Sequence, residues 1–135
     1  MIMKAYTDIN QSKKLSEILP LESADMHYST WTILDGEFIV SPNQGSTIEN
    51  LQEDYGNQII PCWSLAALLQ VLPLRIYDEL DDRDYELKID MADKMPRYVR
   101  LGDLYHDDFP YDFEKDTLLD NVVESIIWLN DNNYF

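Results

Sequence analysis

The segment that most constrains the fold is the apolar stretch 59–72, which is followed directly by Pro73. Ser64 can cap a helix in this stretch, and Pro73 ends it because proline cannot donate to the helix ladder. The leucines between them cover most of the helix circumference. A helix that is apolar nearly all round belongs in the core. The sequence therefore predicts a central apolar helix near 62–72, innermost in the domain.

Two amphipathic helices flank this segment in the sequence. The first is predicted over about 9–19, with Asp8 as its N-cap and Gln11 closing a capping box. The last is predicted to begin near 116–117, where apolar residues recur at helical spacing toward the end of the chain. Each of these helices should have one apolar face.

Several segments carry strand signals. Residues 27–34 and 37–40 flank an Asp-Gly pair, which is a strong hairpin signal. Residues 85–91 and 97–101 alternate between apolar and polar side chains, as in an antiparallel sheet with one covered face, and 74–77 is a short candidate. Residues 41–57 are predicted to be a long loop with a short helical turn near 48–54. Together these signals predict one α+β domain over 1–135, with about three helices packed on an antiparallel sheet of about four strands.

The charge of the chain limits its partners. It has 26 Asp and Glu against 10 Lys and Arg, a formal net charge of -16 over 135 residues. This charge argues against direct binding of nucleic acid or of an anionic membrane, where cationic side chains supply the attraction. It is compatible with a basic protein partner, with cations or with simple solubility. The apolar stretches are too short for a membrane span or a signal segment, so the expected location is cytoplasmic.

Two acidic clusters could bind a cation. The first, 78–86, lacks the glycine of an EF-hand loop, so a solvated hairpin tip is the alternative interpretation. In the second, 103–116, the side chains of Asp103, His106 and Asp107 could meet if the segment turned helically. With two histidines in the whole chain, no metal site and no cofactor is predicted.

Cys62 is the one candidate nucleophile that a helix N-terminus could activate. His27 or His106 could serve as its base, although the sequence does not bring either of them to it. The alternative is that Cys62 is a small core residue. No glycine-rich phosphate loop or serine elbow is present.

Acidic and aromatic side chains are interleaved in the predicted ordered loop 102–115, and together with Trp128 of the last helix they form the predicted partner surface. Such a mixture combines steering charge with the aromatic side chains that dominate binding energy. The alternative is that the aromatic rings pin a loop to the core. Trp128 falls off the apolar stripe of its helix, so it either covers another element or meets a partner. The surface comprises Tyr105, Asp107, Asp108, Phe109, Tyr111, Asp112, Phe113 and Trp128.

The strings YTDI at 6–9, SKKLSEILPLESADM at 12–26 and PCWSLAALL at 61–69 resemble a family of small uncharacterised proteins of gut Bacteroides-type bacteria. Many members are encoded on prophages or other mobile elements. The resemblance implies a bacterial cytoplasmic setting and brings no catalytic residues. It favours a non-enzymatic protein-binding accessory protein. An acidic DNA mimic that inhibits a nucleic-acid-binding protein is the alternative, and a small metal-dependent or cysteine enzyme is the third. Oligomeric state is left open.

Overall fold

The computed structural model describes residues 4–34, 37–79, 82–92, 94–100, 108–109 and 115–135. The chain forms two compact units. The N-terminal unit comprises residues 5–71, and the C-terminal unit comprises residues 72–135 together with the first four residues. Each unit is α+β. The single domain over 1–135 stays a prediction.

The N-terminal unit builds a three-stranded antiparallel sheet in the order β2-β1-β3, accompanied by three helices. Single 3₁₀ turns at Leu21–Ser23 and Gly56–Gln58 join some of these elements. In chain order the elements are α1 Ile9–Ser16, β1 Met26–Leu34, β2 Glu37–Pro42, α2 Ile48–Tyr55, β3 Ile59–Cys62 and α3 Leu65–Val71.

Helix α1 begins where its capping box predicts. The Asp8 carboxylate accepts from the Gln11 backbone N–H at 2.8 Å, and the Gln11 side chain accepts from the Asp8 backbone N–H at 3.1 Å. Two N–H groups that lack a partner inside the helix are thereby satisfied. Leu15 anchors the helix in the core, where it is fully buried. The predicted first helix is confirmed, although it ends at Ser16 rather than at 19.

The predicted hairpin is also confirmed. Strands β1 and β2 pair antiparallel, and Leu34 lies opposite Glu37. This antiparallel pairing of β1 with β2 agrees with the hairpin that the Asp-Gly pair predicts. Those two residues lie outside the described part of the chain. The register of the hairpin shifts between Ser29 and Ile33, where the pairing is irregular.

The apolar stretch 59–72 divides into a strand and a helix, which the sequence analysis did not predict. Ile59–Cys62 forms β3, and α3 spans only seven residues. Ser64 caps α3 as predicted, since its hydroxyl accepts from the Ala67 N–H at 3.1 Å. However, Ala66 and Gln70 are exposed. The helix thus leaves the face of Ala66 and Gln70 open to solvent, and it is shorter than the predicted helix near 62–72.

The predicted loop 41–57 contains a helix of two turns, α2. Thr47 caps it by accepting from the Asn50 N–H at 3.1 Å. Ile48, 1% exposed, anchors it in the core. The short helical turn predicted near 48–54 is therefore present, and it extends over the eight residues of α2. The described residues therefore form four helices, one more than the three predicted.

The C-terminal unit builds a separate antiparallel sheet, so two sheets replace the predicted single sheet. Its order is β4-β5-β6, extended at the β6 edge by the two-residue strand β7. The predicted strands are present with shifted ends, and β4 pairs antiparallel with β5. The elements are β4 Arg75–Asp78, β5 Arg83–Asp90, β6 Met95–Arg100, β7 Asp108–Phe109 and α4 Leu118–Asp131.

Helix α4 and the sheet supply the core of this unit. Thr117 caps α4 by accepting from the Asp120 N–H at 3.1 Å, and the predicted apolar stripe is buried. From the sheet, Tyr98 is fully buried and donates its hydroxyl to the Pro73 carbonyl at 2.8 Å. Burial of each large apolar side chain is worth about 1.5–3 kcal/mol, so the stripe holds α4 to the unit. The predicted last helix is confirmed.

Candidate functional site

Cys62 lies in a buried polar cluster where its thiol is held protonated. Its Sγ is 3.5 Å from the Thr7 hydroxyl, and Thr7 and Cys62 are both fully buried. The Tyr28 hydroxyl donates to the Thr7 carbonyl at 2.7 Å. Burial raises the pKa of the Cys62 thiol above its ordinary value. Because the thiolate is the nucleophile, this environment suppresses its reactivity.

His27 is not placed to activate Cys62. Cys62 lies opposite Met26 in the sheet, whereas His27 lies opposite Pro61. Successive side chains of a strand point to opposite faces, so the imidazole and the thiol lie on different faces of the sheet. The His27 ring nitrogen Nδ1 instead meets Asn43 Oδ1 at 2.8 Å. His106, the other candidate base, lies outside the described residues.

The described residues of the acidic cluster 78–86 belong to the paired strands β4 and β5 or lie next to them, in agreement with the hairpin interpretation of that cluster. Asp78 lies opposite Arg83 across the hairpin. No three His, Cys, Asp or Glu side chains are grouped to hold a metal ion in the ranges that the structure describes. Asp103, His106 and Asp107 of the second cluster fall outside those ranges.

The predicted partner surface is only partly described. Asp108 and Phe109 form β7, where they lie opposite Val99 and Tyr98 of β6. Trp128 lies in α4 and is half-buried. The remaining members lie outside the described residues, so their role stays a prediction. They are Tyr105, Asp107, Tyr111, Asp112 and Phe113.

The end of α4 reverses the chain around Asn133. This residue has a left-handed backbone, with φ of 62°. The Tyr134 N–H bonds to the Leu129 carbonyl at 2.9 Å, and the Asn133 N–H bonds to the Asn130 carbonyl at 3.2 Å. This pair of bonds is a Schellman motif, which satisfies carbonyls at the helix end. Asparagine is one of the few residues other than glycine that adopts this backbone readily.

The Schellman motif turns Tyr134 back onto the last part of α4. Its ring stacks on Trp128, with ring centroids 5.6 Å apart and planes inclined by 19°. An apolar contact of this kind commonly accompanies the motif. The stack accounts for the position of Trp128, off the buried stripe of its helix yet half-covered. One face of Tyr134 is thereby occupied and its orientation is fixed.

A groove of about 370 Å³ lies beside this stack, entirely within the C-terminal unit. We call it the tyrosine groove. Tyr77 is 47% exposed and donates its hydroxyl to the Asp82 carboxylate. That hydrogen bond raises the pKa of the Tyr77 phenol. The groove is lined by Tyr77, Asp78, Glu79, Asn132, Asn133 and Tyr134.

The electrostatics of the tyrosine groove favour a cation. Asp78 and Glu79 contribute carboxylates, and none of the described residues that line the groove is basic. The C-terminal end of α4 carries the negative end of the helix dipole, and its last turn has no basic residue to offset it. The exposed π-face of a tyrosine also attracts cations. Sequence reasoning found Trp128 but missed the groove. The Asn132-Asn133 pair after α4 was the signal that could have indicated that the chain reverses there.

Comparisons with known proteins give no relative. No protein-family model matches the sequence, and neither a curated protein nor a solved structure is significantly similar to it. Among the described helices, none is long and apolar enough to cross a membrane.

Proposed function

We propose that this chain is a non-enzymatic accessory protein that binds a basic protein partner through the tyrosine groove. One observation carries the proposal: the groove joins two tyrosines to two carboxylates at a helix C-terminus. The resemblance to proteins of prophages and other mobile elements supports the accessory role. Proteins of this kind commonly act by binding proteins of their host.

The composition of the groove suits protein recognition. Tyrosine rings are enriched among the side chains that dominate binding energy at interfaces. Tyr77 presents such a ring to solvent, and Tyr134 is held in place by Trp128. The carboxylates of the groove, in a chain of net charge -16, speed association with a basic partner by long-range attraction.

Catalysis by Cys62 has less support than binding. The thiol is buried and protonated, and the His27 imidazole lies on the other face of the sheet. Acyl transfer needs a thiolate and a base within hydrogen-bond reach of each other. Cys62 has the surroundings of a structural residue, so the enzyme hypothesis loses its principal candidate.

The test compares two matched double variants as bait. Tyr77→Leu/Glu79→Gln removes one ring and one charge from the groove. Tyr55→Leu/Glu53→Gln removes the same groups from α2, where Tyr55 is 50% exposed. We expect the wild-type chain and the α2 variant to capture the same bacterial protein, released by salt, and the groove variant to lose it. Equal capture by both variants would refute docking at the groove.

A competition experiment with DNA distinguishes the proposed function from the alternative, an acidic DNA mimic. If the captured protein is displaced by duplex DNA, the chain acts as the acidic DNA mimic, because it then occupies the DNA site of its partner. If DNA leaves the complex intact, the partner is recognised through a surface of its own. The salt dependence of capture should be steep in either case.

A further inference from the structure

We infer that the tyrosine groove accepts an arginine side chain in preference to lysine. This inference rests on the proposed function and adds the chemistry of the group that is bound. The occupant is one exposed arginine on a basic segment of the partner protein. Charge complementarity supports the choice, since the described lining residues include two carboxylates and no basic group.

The aromatic walls favour a planar cation. Tyr134 is held by its stack on Trp128, and the Tyr77 hydroxyl donates to the Asp82 carboxylate. Rings that are already oriented lose little conformational freedom when a ligand binds. A guanidinium group stacks flat on such rings, whereas the ammonium group of lysine is a compact and strongly hydrated charge.

The polar walls favour the same group. A guanidinium has five donors in a rigid fork, which matches the paired oxygens of a carboxylate such as Glu79. Remaining donors can meet the amide oxygens of Asn132 and Asn133, which also line the groove. The volume of about 370 Å³ is near the lower end of ligand sites, which span roughly 300–1,000 Å³. It suits one long side chain rather than a folded peptide.

The test uses three blocked tripeptides, glycine-X-glycine, in which X is arginine, lysine or citrulline. Citrulline keeps the shape of arginine but carries no charge. Each peptide is titrated into the full chain while NMR follows the ring signals of Tyr77 and Tyr134. We expect saturable shifts with arginine, binding about two- to fivefold weaker with lysine, and no saturation with citrulline.

Variants show whether the signals report on the groove. Glu79→Gln should weaken the arginine peptide at least twofold, and Tyr77→Leu should do the same when Tyr134 is the reporter. Glu53→Gln, which removes one carboxylate from α2, should leave its affinity unchanged. A uniform loss with all carboxylate variants would show non-specific attraction and overturn the inference.

Two further outcomes would also overturn it. One is equal affinity for the lysine and arginine peptides, and the other is no shift of either tyrosine. These failures differ from failure of the proposed function. If a partner protein still requires Tyr77 and Glu79 for capture while the arginine peptide does not bind, the groove binds protein and only its selectivity for arginine is wrong.

Discussion

Replacing Thr7 with valine tests how the N-terminal unit is held together. The Thr7 hydroxyl accepts from the Trp63 backbone N–H at 3.2 Å and lies 2.8 Å from the Ser12 hydroxyl, all in the core. Valine keeps the branched shape but leaves the N–H of Trp63 and the hydroxyl of Ser12 without this partner. An orphaned buried donor costs about 1–3 kcal/mol and a lost hydrogen bond about 1 kcal/mol, so Thr7→Val should lower the free energy of unfolding by about 2–4 kcal/mol.

Urea unfolding, followed by tryptophan fluorescence, measures this loss, and hydrogen exchange at the Trp63 amide localises it. Thr7→Ser is the control, because it keeps the hydroxyl and should retain most of the stability. Ser12→Ala alone should cost about 1 kcal/mol, and the double variant should cost about 1 kcal/mol less than the two single losses together. A Thr7→Val loss below about 0.5 kcal/mol, with an additive double variant, would refute the reasoning.

Three further predictions concern single residues. Cys62 should resist iodoacetamide at pH 8 in the folded chain and react with it in denaturant. Because folding raises the pKa of the thiol, the contribution of Cys62 to the free energy of unfolding should be full below the pKa of the unfolded thiol. That contribution should decline as the pH rises through the pKa of the folded thiol, as measured by urea unfolding. Asp8→Asn should keep the helix cap with little loss, whereas Asp8→Ala should cost about 1 kcal/mol in the same assay. Asn133→Ala should lower the free energy of unfolding by about 1 kcal/mol, because φ is 62° at this position. It should also change the fluorescence of Trp128 by loosening the stack of Trp128 on Tyr134. Asn133→Gly should have neither effect.

The elements that the sequence predicted are those whose signals are local. The Asp8 capping box, the Asp-Gly hairpin and the stripe of α4 each depend on contacts within a few residues, and each is present. The stretch 59–72 was predicted less well. A run of apolar residues satisfies a strand and a helix equally, so its pattern could not indicate that β3 ends at Cys62 before α3 begins.

The candidate site was only partly predictable for the same reason. Trp128 could be singled out because it falls off an amphipathic stripe. The tyrosine groove brings Tyr77 next to Tyr134, and these residues are far apart in the chain. No local pattern records that proximity. The relation of Cys62 to His27 was equally unpredictable from a local pattern, because the register of β1 with β3 places the two side chains on opposite faces of the sheet.

The sequence alone therefore determined the helix starts, the hairpin reversal and the negative charge, because capping, turn geometry and ionisation depend on neighbouring atoms or on composition. Tertiary structure decided which tyrosines share a groove, which face the thiol occupies and how the strands divide between two sheets. Those outcomes depend on pairing between distant segments. Each such pairing is selected by the fit of whole surfaces, which no single stretch of residues encodes.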